Sequence, residues 1–376
     1  MIRFISPHEF AGYVPPENLQ AQAVYNYVKP FIEKGSRALI ANVDTEVWLA
    51  QVDDTLLPVT KNEAEYGNSY VCSLFSHYIS YSKEELDIVG AGPFKYAFAP
   101  LLCLLGWAAK RAEINKVVIL NNFMLSTNLY APLSKEQYKR LILAAKAKFP
   151  DFLIAFRSVN EDYNAQLLAD LTDLGGVKIA SRRVYLLKPE NIRTKSRKLL
   201  RKDVKMAVEK GYYWEKASDI DVKDIGRFYD SLYLEKYSKL NPQFTLVYYR
   251  CMLSNPLFNI RMLKQKGKSK GVCGLFSNGS GSTPPIFGYD VKSDKTEGIY
   301  RALSLWGWQM MEQNIVREMN FSSGVSMFKR ARGAVGKTEY SVVFCKHLSL
   351  KRRLFWRSLS AAVNCLALPF MIWRKY

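Results

Sequence analysis

The segment 319–340 brings hydroxyl groups and cations close together in the sequence. An apolar run ends there in two serines and Gly324, and a glycine allows a tight turn that approaches a ligand closely. A cationic stretch follows, and guanidinium groups bind phosphate or carboxylate through paired hydrogen bonds. The segment predicts either an anion-binding turn or a strand-to-helix turn with a serine N-cap and a solvated basic face. The groups concerned are Ser322, Ser323, Lys329, Arg330 and Arg332.

Composition limits the classes of protein to which the chain can belong. Its 376 residues suit two domains or one large one, and its hydrophobic content of 48% is enough to bury a core. The formal net charge of +20 favours an anionic partner, such as phosphate esters, RNA or the cytoplasmic membrane surface. The six cysteines form no CxxC pair, which favours reduced thiols and a cytoplasmic protein. The three histidines lie far apart, so no metal site is predicted.

The elements that must position these groups alternate between strand and helix, which predicts a mixed α/β (α+β) fold. A boundary near 188–193 divides the chain into 1–190, 191–348 and a basic amphipathic helix at 349–376. The first half is predicted to contain strands at 36–43, 45–52, 69–81, 116–123, 152–159 and 184–188, with helices near 93–113, 134–149 and 163–176. The second half is predicted to contain helices at 192–212, 221–239, 245–255 and 296–314, with strands at 258–265, 271–278, 285–291, 317–324 and 338–348.

This order of elements resembles the GNAT acyltransferase fold, in two tandem copies as in the Fem-type peptidoglycan aminoacyltransferases. The segments that carry the resemblance are the helix at 196–212, the strand–helix pair at 287–311 and the turn at 320–334. Each half is then expected to contain a mixed, mainly antiparallel sheet flanked by helices. The resemblance implies transfer of an acyl or aminoacyl group to an amine, with the second half catalytic.

The turn at 291–302 departs from the pattern of relatives that use coenzyme A. Those relatives carry a glycine-rich turn whose backbone N–H groups cradle pyrophosphate, whereas this turn contains one glycine, Gly298. The implied co-substrate is therefore acyl-CoA, acyl carrier protein or aminoacyl-tRNA, with no permanently bound cofactor. The cations expected to bind the donor's phosphates are Lys295, Arg301, Lys329, Arg330 and Arg332.

Four residues are candidates for catalysis under this resemblance. Ser322 and Ser323 would orient the acceptor or donate hydrogen bonds to a tetrahedral oxyanion. Asp290 ends the strand that faces the acyl carbonyl in GNAT folds, and would accept the amine proton as a general base. The other interpretation of Asp290 is a turn-forming aspartate. Tyr289 is a weaker candidate, as proton donor to the leaving group.

A polar cluster follows the strand that ends near residue 120. It is predicted either to bind an acceptor in an interdomain cleft or to cap the next turn, and the residues favour neither. His77 is interpreted as a core or edge histidine in preference to a catalytic one. Glu339 is expected to form a structural salt bridge with Arg330 or Arg332. The acceptor-binding candidates are Asn121, Asn122, Ser126, Thr127 and Asn128.

Two apolar stretches, 98–109 and 359–373, are shorter than the ~20 residues of a spanning helix, so neither is expected to cross a membrane. From Tyr340 onward the chain has seven Lys or Arg and no Asp or Glu. The segment 351–376 is therefore expected either to lie on an anionic membrane or to dock its apolar side on the domain.

The sequence thus predicts a cytoplasmic N-acyltransferase, peripheral at the inner membrane face if the tail binds lipid. The rival function is that of a non-catalytic RNA- or membrane-surface-binding protein built on a degenerate acyltransferase fold. The degenerate turn supports the rival, and the hydroxyls beside cations at 322–332 support the enzyme.

Overall fold

The computed structural model describes residues 1–88, 94–279 and 281–373. The strands are β1 (Ile2–Ile5), β2 (Glu46–Val52), β3 (Thr55–Asn62), β4 (Val117–Leu120), β5 (Leu153–Asn160), β6 (Val177–Leu187), β7 (Tyr212–Lys216), β8 (Phe258–Gln265), β9 (Lys268–Asn278), β10 (Gly281–Tyr289), β11 (Glu318–Asn320) and β12 (Val335–Phe344). The helices are α1 (Leu19–Lys34), α2 (Ser36–Leu39), α3 (Tyr81–Ile88), α4 (Phe94–Arg111), α5 (Lys135–Lys148), α6 (Ala165–Asp173), α7 (Thr194–Glu209), α8 (Val222–Asp230), α9 (Leu246–Leu253), α10 (Ile299–Glu312), α11 (Ser326–Ala331), α12 (Leu350–Ala362) and α13 (Leu368–Trp373).

The strands of both halves join into one mixed sheet, in the order β1-β2-β3-β4-β5-β12-β6-β11-β10-β9-β8-β7. β12, near the end of the chain, lies between β5 and β6 of the first half and pairs antiparallel with both. β6 in turn pairs with β11. The two halves are therefore held together by continuous backbone hydrogen bonds.

Each half contains one pair of parallel neighbours within an otherwise antiparallel arrangement. In the first half β4 and β5 run parallel from Val117–Leu153 to Leu120–Phe156. In the second half β10 and β11 run parallel only over Gly281–Glu318 and Ser282–Met319. This repetition confirms the predicted fold class: a mixed α/β chain of two tandem GNAT-like units flanked by helices.

Four apolar cores lie on the faces of the sheet. The largest core joins α1 and β2 of the first half to α8, α9 and β8 of the second. A second core packs α5 against β2–β5 and β12, and a third packs α10 against β9–β11. The fourth core places α4 and α12 over β4, β5, β6 and β12. Burial of apolar surface from both halves therefore adds to the backbone hydrogen bonds that hold the two halves together.

Two predicted strands are helical in the structure. Within 36–43, Ser36–Leu39 form α2, and the strand that pairs with β2 is β3 instead. The segment 69–81 forms helical turns from Leu74 onward, because the Ser73 hydroxyl and the Asn115 amide oxygen accept hydrogen bonds from the first backbone N–H groups. Asn115 is distant in sequence, so the residues of 69–81 taken alone favour a strand by their propensities. The pattern also left α1, α3, β1, β3 and β7 unpredicted.

The tail forms one continuous helix from Leu350 to Trp373, here called the C-terminal helix, in which a π-helical stretch joins α12 to α13. The C-terminal helix is therefore longer than the apolar stretch 359–373 seen in the sequence. Among the described residues, Leu350–Ile372 form the one helix with the length and hydropathy to cross a membrane, and only 11% of its most apolar window is buried.

Gly288 holds β10 close to α8, and this contact sets the position of the strand end that carries Tyr289 and Asp290. A Cβ atom at Gly288 would lie 2.3 Å from the Phe228 carbonyl oxygen. We expect Gly288→Ala to lower the free energy of unfolding by about 1–3 kcal/mol or more, because backbone must move. Gly67→Ala, at a position with no atom within 4 Å of the added Cβ, is the control. Equal urea midpoints for both variants would contradict the expectation.

Candidate functional site at the junction of the two halves

The turn after β11 has an unusual backbone and is held by one lysine. Ser322, Gly324 and Val325 have φ angles of 58°, 75° and 47°, and a positive φ is rare for a β-branched residue. The Lys329 ammonium donates hydrogen bonds to the carbonyl oxygens of residues 321, 322 and 323, at 2.7, 3.2 and 2.5 Å. Strained backbone of this kind concentrates at ligand-binding and catalytic sites.

Lys329 lies in an environment that opposes its charge. Burial, with a smaller contribution from the positive charge of Arg182, lowers the pKa of Lys329 to about 7. The three carbonyl acceptors act in the opposite sense, since they stabilise the ammonium. In this structure Lys329 is therefore engaged with the turn, and its predicted contact with phosphate stays a prediction.

A buried carboxylate binds two of the predicted phosphate ligands. Asp203, on α7, is 1% exposed and lies 2.6 Å from Arg301 Nη2 and 2.5 Å from Arg332 Nε. Arg332 also stacks on the Phe328 ring, with its guanidinium carbon 3.5 Å from the ring centroid. These contacts tie α7 to α10 and α11. The other two predicted ligands, Lys295 and Arg330, are exposed.

Asp290 forms a turn, as one interpretation of the sequence predicted. Its Oδ1 accepts a hydrogen bond from the Lys292 backbone N–H at 2.9 Å, and its side chain is only half-buried. Tyr289 packs at 6.2 Å between ring centroids against Tyr300, which packs at 4.9 Å against Phe328. Burial raises the pKa of Tyr289. This row of rings brings the end of β10 to α11, so Asp290 lies on the same side of the second half as the 322–332 turn.

The turn between β10 and α10 does not present a cradle of free backbone N–H groups. The side-chain and backbone oxygens of Asp290 and Asp294 accept hydrogen bonds from most of these N–H groups. Gly298 has a left-handed φ of 69°. The N–H groups of Val291, Lys292, Ser293, Thr296, Glu297 and Gly298 all donate within the protein.

The predicted acceptor cluster forms a buried, cross-linked loop after β4. The Asn122 amide donates to Thr60 Oγ1 at 2.8 Å and to the Val71 carbonyl at 2.9 Å, and Asn128 accepts from the Phe123 N–H. Asn121 donates to the Leu129 carbonyl at 2.8 Å. These bonds fix the loop, as the capping interpretation requires. Asn121, Asn122, Thr127 and Asn128 are buried, and Ser126 is half-buried.

Arg182, on β6, connects this loop to β12. Its guanidinium donates to Thr127 Oγ1 at 2.9 Å and to the Ser126 carbonyl, and pairs with Glu339 Oε1 at 2.8 Å. Glu339 was expected to pair with Arg330 or Arg332, and that expectation is wrong. It lies opposite Arg182 in the register of β6 and β12, whereas Arg332 is paired with Asp203.

The junction carries more positive than negative charge. Arg157, 2% exposed, donates to the Asn122 Oδ1 at 3.1 Å and to the Val71 carbonyl, without a carboxylate partner among the described residues. Arg182, whose charge lowers the pKa of both Arg157 and Lys329, forms an ion pair with one carboxylate, that of Glu339. Burial, with Arg182 next in effect, lowers the pKa of Arg157. An anionic or strongly polar ligand would compensate this excess.

Several buried polar atoms at the junction have no hydrogen-bond partner within the described part of the chain. Buried polar atoms are normally paired, so each is an available group for a ligand or a water molecule. His77 is one such residue: burial, with Arg157 and Arg182, lowers the pKa of its imidazole well below the usual value. The atoms are His77 Nε2, Asn121 Oδ1, Ser158 Oγ, Asn278 Oδ1, Thr283 Oγ1, Asn320 Nδ2 and Glu339 Oε2.

Three charged residues that organise the site went unrecognised in the sequence. Arg157 stands in a largely apolar strand segment, Arg182 precedes the apolar run 184–187, and Asp203 is an acidic residue in a strongly basic helix. A charge inside an apolar strand requires a buried partner, so this pattern was a usable signal. Two surface cavities, of about 330 and 550 Å³, are lined by other residues, around Asn42 and Asp230.

Comparison with solved structures places this geometry in a known fold. FemX covers 96% of this chain and all of its own, with a TM-score of 0.52 and 10% sequence identity. The chain has the FemX fold. L-PGS from Bacillus licheniformis is also similar, at 17% identity and a TM-score of 0.44 over 60% of this chain and 78% of its own. No family model and no curated protein sequence matches the chain.

A FemX-like fold assignment at 10% identity rests on architecture, and it confirms the resemblance in fold that the sequence predicted. A conserved protein of unknown function from Bacteroides thetaiotaomicron covers 92% of this chain and all of its own, with 11% identity and a TM-score of 0.49.

Lys329→Met tests the balance between burial and the three carbonyl acceptors. With a pKa near 7 when folded, against about 10.4 when unfolded, Lys329 binds fewer protons in the folded state between these values. Wild-type stability relative to Lys329→Met should therefore rise as the pH increases through 7. Urea unfolding of both proteins from pH 6 to 9 measures this difference. A constant difference would mean that the carbonyls keep the ammonium charged throughout.

Proposed function

We propose that the protein is an acyltransferase that moves an acyl or aminoacyl group from an activated donor to an amine at the junction of its two halves. The excess of buried positive charge around Arg157, Arg182 and Lys329 is the observation that carries the proposal. The FemX fold supports it at the level of architecture. The halves 1–190 and 191–348 would act as one catalytic unit, because β12 crosses between them.

Aminoacyl-tRNA is the donor that best suits the surface beside the site. The turn before α10 uses six backbone N–H groups internally, so a pyrophosphate could not be held there as in a glycine-rich cradle. α7 packs beside α10 and α11 and turns a row of cations to solvent, which suits a phosphate backbone. The exposed cations of α7 are Lys195, Arg197, Lys198, Arg201, Lys202 and Lys205.

The reaction would rest mainly on positioning and on stabilisation of developing charge. The acceptor nitrogen attacks the ester carbonyl, and its proton passes to the Asp290 carboxylate. The ester C–O bond then breaks, and the leaving ribose oxygen takes a proton from Tyr289, which regains one from solvent as Asp290 releases its own. Ser322 and Ser323 would donate hydrogen bonds to the oxyanion or orient the amine, with Tyr289 near the leaving group. The unpartnered Oε2 of Glu339 would bind the acceptor. Such a donor locates the reaction in the cytoplasm.

Asp290→Asn separates an enzyme from a protein that only binds. Asparagine keeps an oxygen that can accept the Lys292 N–H bond, so the turn should persist while the base is lost. We expect a fall in turnover of about 10²–10⁴-fold with an unchanged melting temperature. Asp294→Asn is the matched control, since Asp294 accepts the Thr296 N–H bond in the same turn.

The assay follows transfer of radiolabelled amino acids from bulk aminoacyl-tRNA to the low-molecular-weight amines of a deproteinised cell extract. Equal rates for wild type and Asp290→Asn would remove Asp290 from the mechanism. Absence of transfer by the wild type, with tRNA still bound, would favour the non-catalytic RNA-binding function.

The donor assignment makes a separate prediction about salt. Replacing Lys198, Arg201 and Lys202 by Gln should weaken aminoacyl-tRNA binding and reduce the slope of log affinity against log salt, because phosphate contacts release counterions. Lys29, Lys34 and Lys139 are exposed lysines of the first half, and their triple Gln variant changes net charge equally. Filter binding at four salt concentrations measures both. Equal losses in the two triple variants would mean that the general charge, and not α7, binds the donor.

A further inference from the structure

We propose that α4 and the C-terminal helix together form a surface that docks on an anionic lipid bilayer. This surface, here called the outer helical face, contains none of the residues of the junction site. The inference is independent of the proposed function, since it concerns binding of the protein to a membrane and no step of the reaction.

Both helices pack on the same face of the sheet. Ala109 of α4 and Trp356 and Leu359 of the C-terminal helix belong to one apolar core over β4, β5, β6 and β12. Leu105 and Phe355 pack against that core from the two helices. The sides of the two helices that do not face the sheet are therefore turned outward on one side of the molecule.

The outward residues of the C-terminal helix are apolar over its last four turns. Leu366 is 72% exposed and Ile372 is 48% exposed, and no charged residue occurs between 358 and 373. Leu354, nearer the start of the helix, is 54% exposed. An apolar stripe of this length on a protein surface marks an interaction site.

α4 presents a second stripe of the same kind. Leu104 is 62% exposed and Trp107 is 57% exposed, and they are followed by Lys110 and Arg111. The Arg111 guanidinium carbon lies 4.7 Å from the Trp107 ring centroid. Tryptophan and cations beside an apolar stripe are typical of helices at the membrane interface.

The charges favour an anionic bilayer as the occupant. Seven Lys or Arg and no Asp or Glu follow Tyr340, and of these Lys351 and Arg357 are exposed on the C-terminal helix. Each cation near an anionic surface contributes about 1 kcal/mol of attraction. A second copy of this chain would bring the same cations and a net charge of +20 against them. A bilayer provides both an apolar interior for the exposed side chains and phosphate groups for the cations.

The C-terminal helix is held on the sheet, so it would lie along the bilayer and not cross it. Trp356 is fully buried, and the Arg352 guanidinium donates to the carbonyl oxygens of Asp151 and Lys116 at 2.6 and 3.0 Å. Further along, Asn364 donates to the Lys178 carbonyl and accepts from the Ala180 N–H, both at 2.9 Å. Spanning would require all these contacts to break.

Vesicle sedimentation of the full chain tests the surface. We expect binding to vesicles of phosphatidylcholine with 30% phosphatidylglycerol (about one anionic lipid in three), at least tenfold weaker binding to phosphatidylcholine alone, and loss at high salt. Leu366→Ser with Ile372→Ser should reduce binding at least tenfold, as should Leu104→Ser with Trp107→Ser. The control is Val14→Ser with Ile220→Ser, two residues 84% and 86% exposed that belong to neither helix.

Three results would overturn the proposal. The first is failure of the wild type to sediment with anionic vesicles. The second is an equal loss of binding in the control variant. The third is a dimer, measured by light scattering, that becomes a monomer when Leu366 and Ile372 are replaced, since the occupant would then be a second copy. Circular dichroism of each variant at the assay temperature confirms that it is folded, and Leu366→Gln, which favours a helix and adds no charge, repeats the test.

Discussion

The pairing of β12 with both β5 and β6 is the constraint on which the rest of the structure depends. A strand from the end of the chain closes the gap between the two halves, and its register places Glu339 opposite Arg182 on one side and Asn160 on the other. Because side chains alternate along a strand, a shift of one residue would turn Glu339 to the opposite face and leave Arg182 without its carboxylate. The salt bridge at the junction is thus a consequence of backbone pairing.

The junction in turn determines what the site can bind. Buried cations are stable only when their charge is compensated, and among the described residues Glu339 is the one carboxylate that forms an ion pair with any of Arg157, Arg182 and Lys329. Hydrogen bonds from the 121–130 loop and from the carbonyls of 321–323 compensate part of the deficit. A donor that carries phosphate and an activated carbonyl would supply the remainder. The buried polar atoms that have no hydrogen-bond partner among the described residues would then orient the substrate. The uncompensated charge at the junction and the proposed chemistry would thus have the same origin.

Sequence patterns were informative where local structure decides the outcome. The helix that became α5 was predicted from Ser134, and its capping box with Gln137 is present. The order of elements gave the tandem fold, and the two aspartates of the 290–298 turn form the local hydrogen bonds that such residues favour. Patterns failed where a distant group decides, since Asn115 makes 69–81 helical. They also gave no sign that Asp203 pairs with Arg301 and Arg332, whose predicted contact with phosphate stays a prediction. The insertion of β12 between β5 and β6 has no signal in a single sequence, so the pairing of Glu339 with Arg182 could not be foreseen.

Transfer from a defined donor is the most direct test of the account. The wild-type protein would be incubated in single turnover with bulk tRNA charged with radiolabelled amino acids, in parallel with radiolabelled acetyl-CoA, and with the small-molecule amines of a deproteinised cell extract in both reactions. The account predicts that label leaves the tRNA and appears in a new amide product, while acetyl-CoA stays intact. Consumption of acetyl-CoA with no change in the charged tRNA would contradict it, since the donor would then bind without the cations of α7.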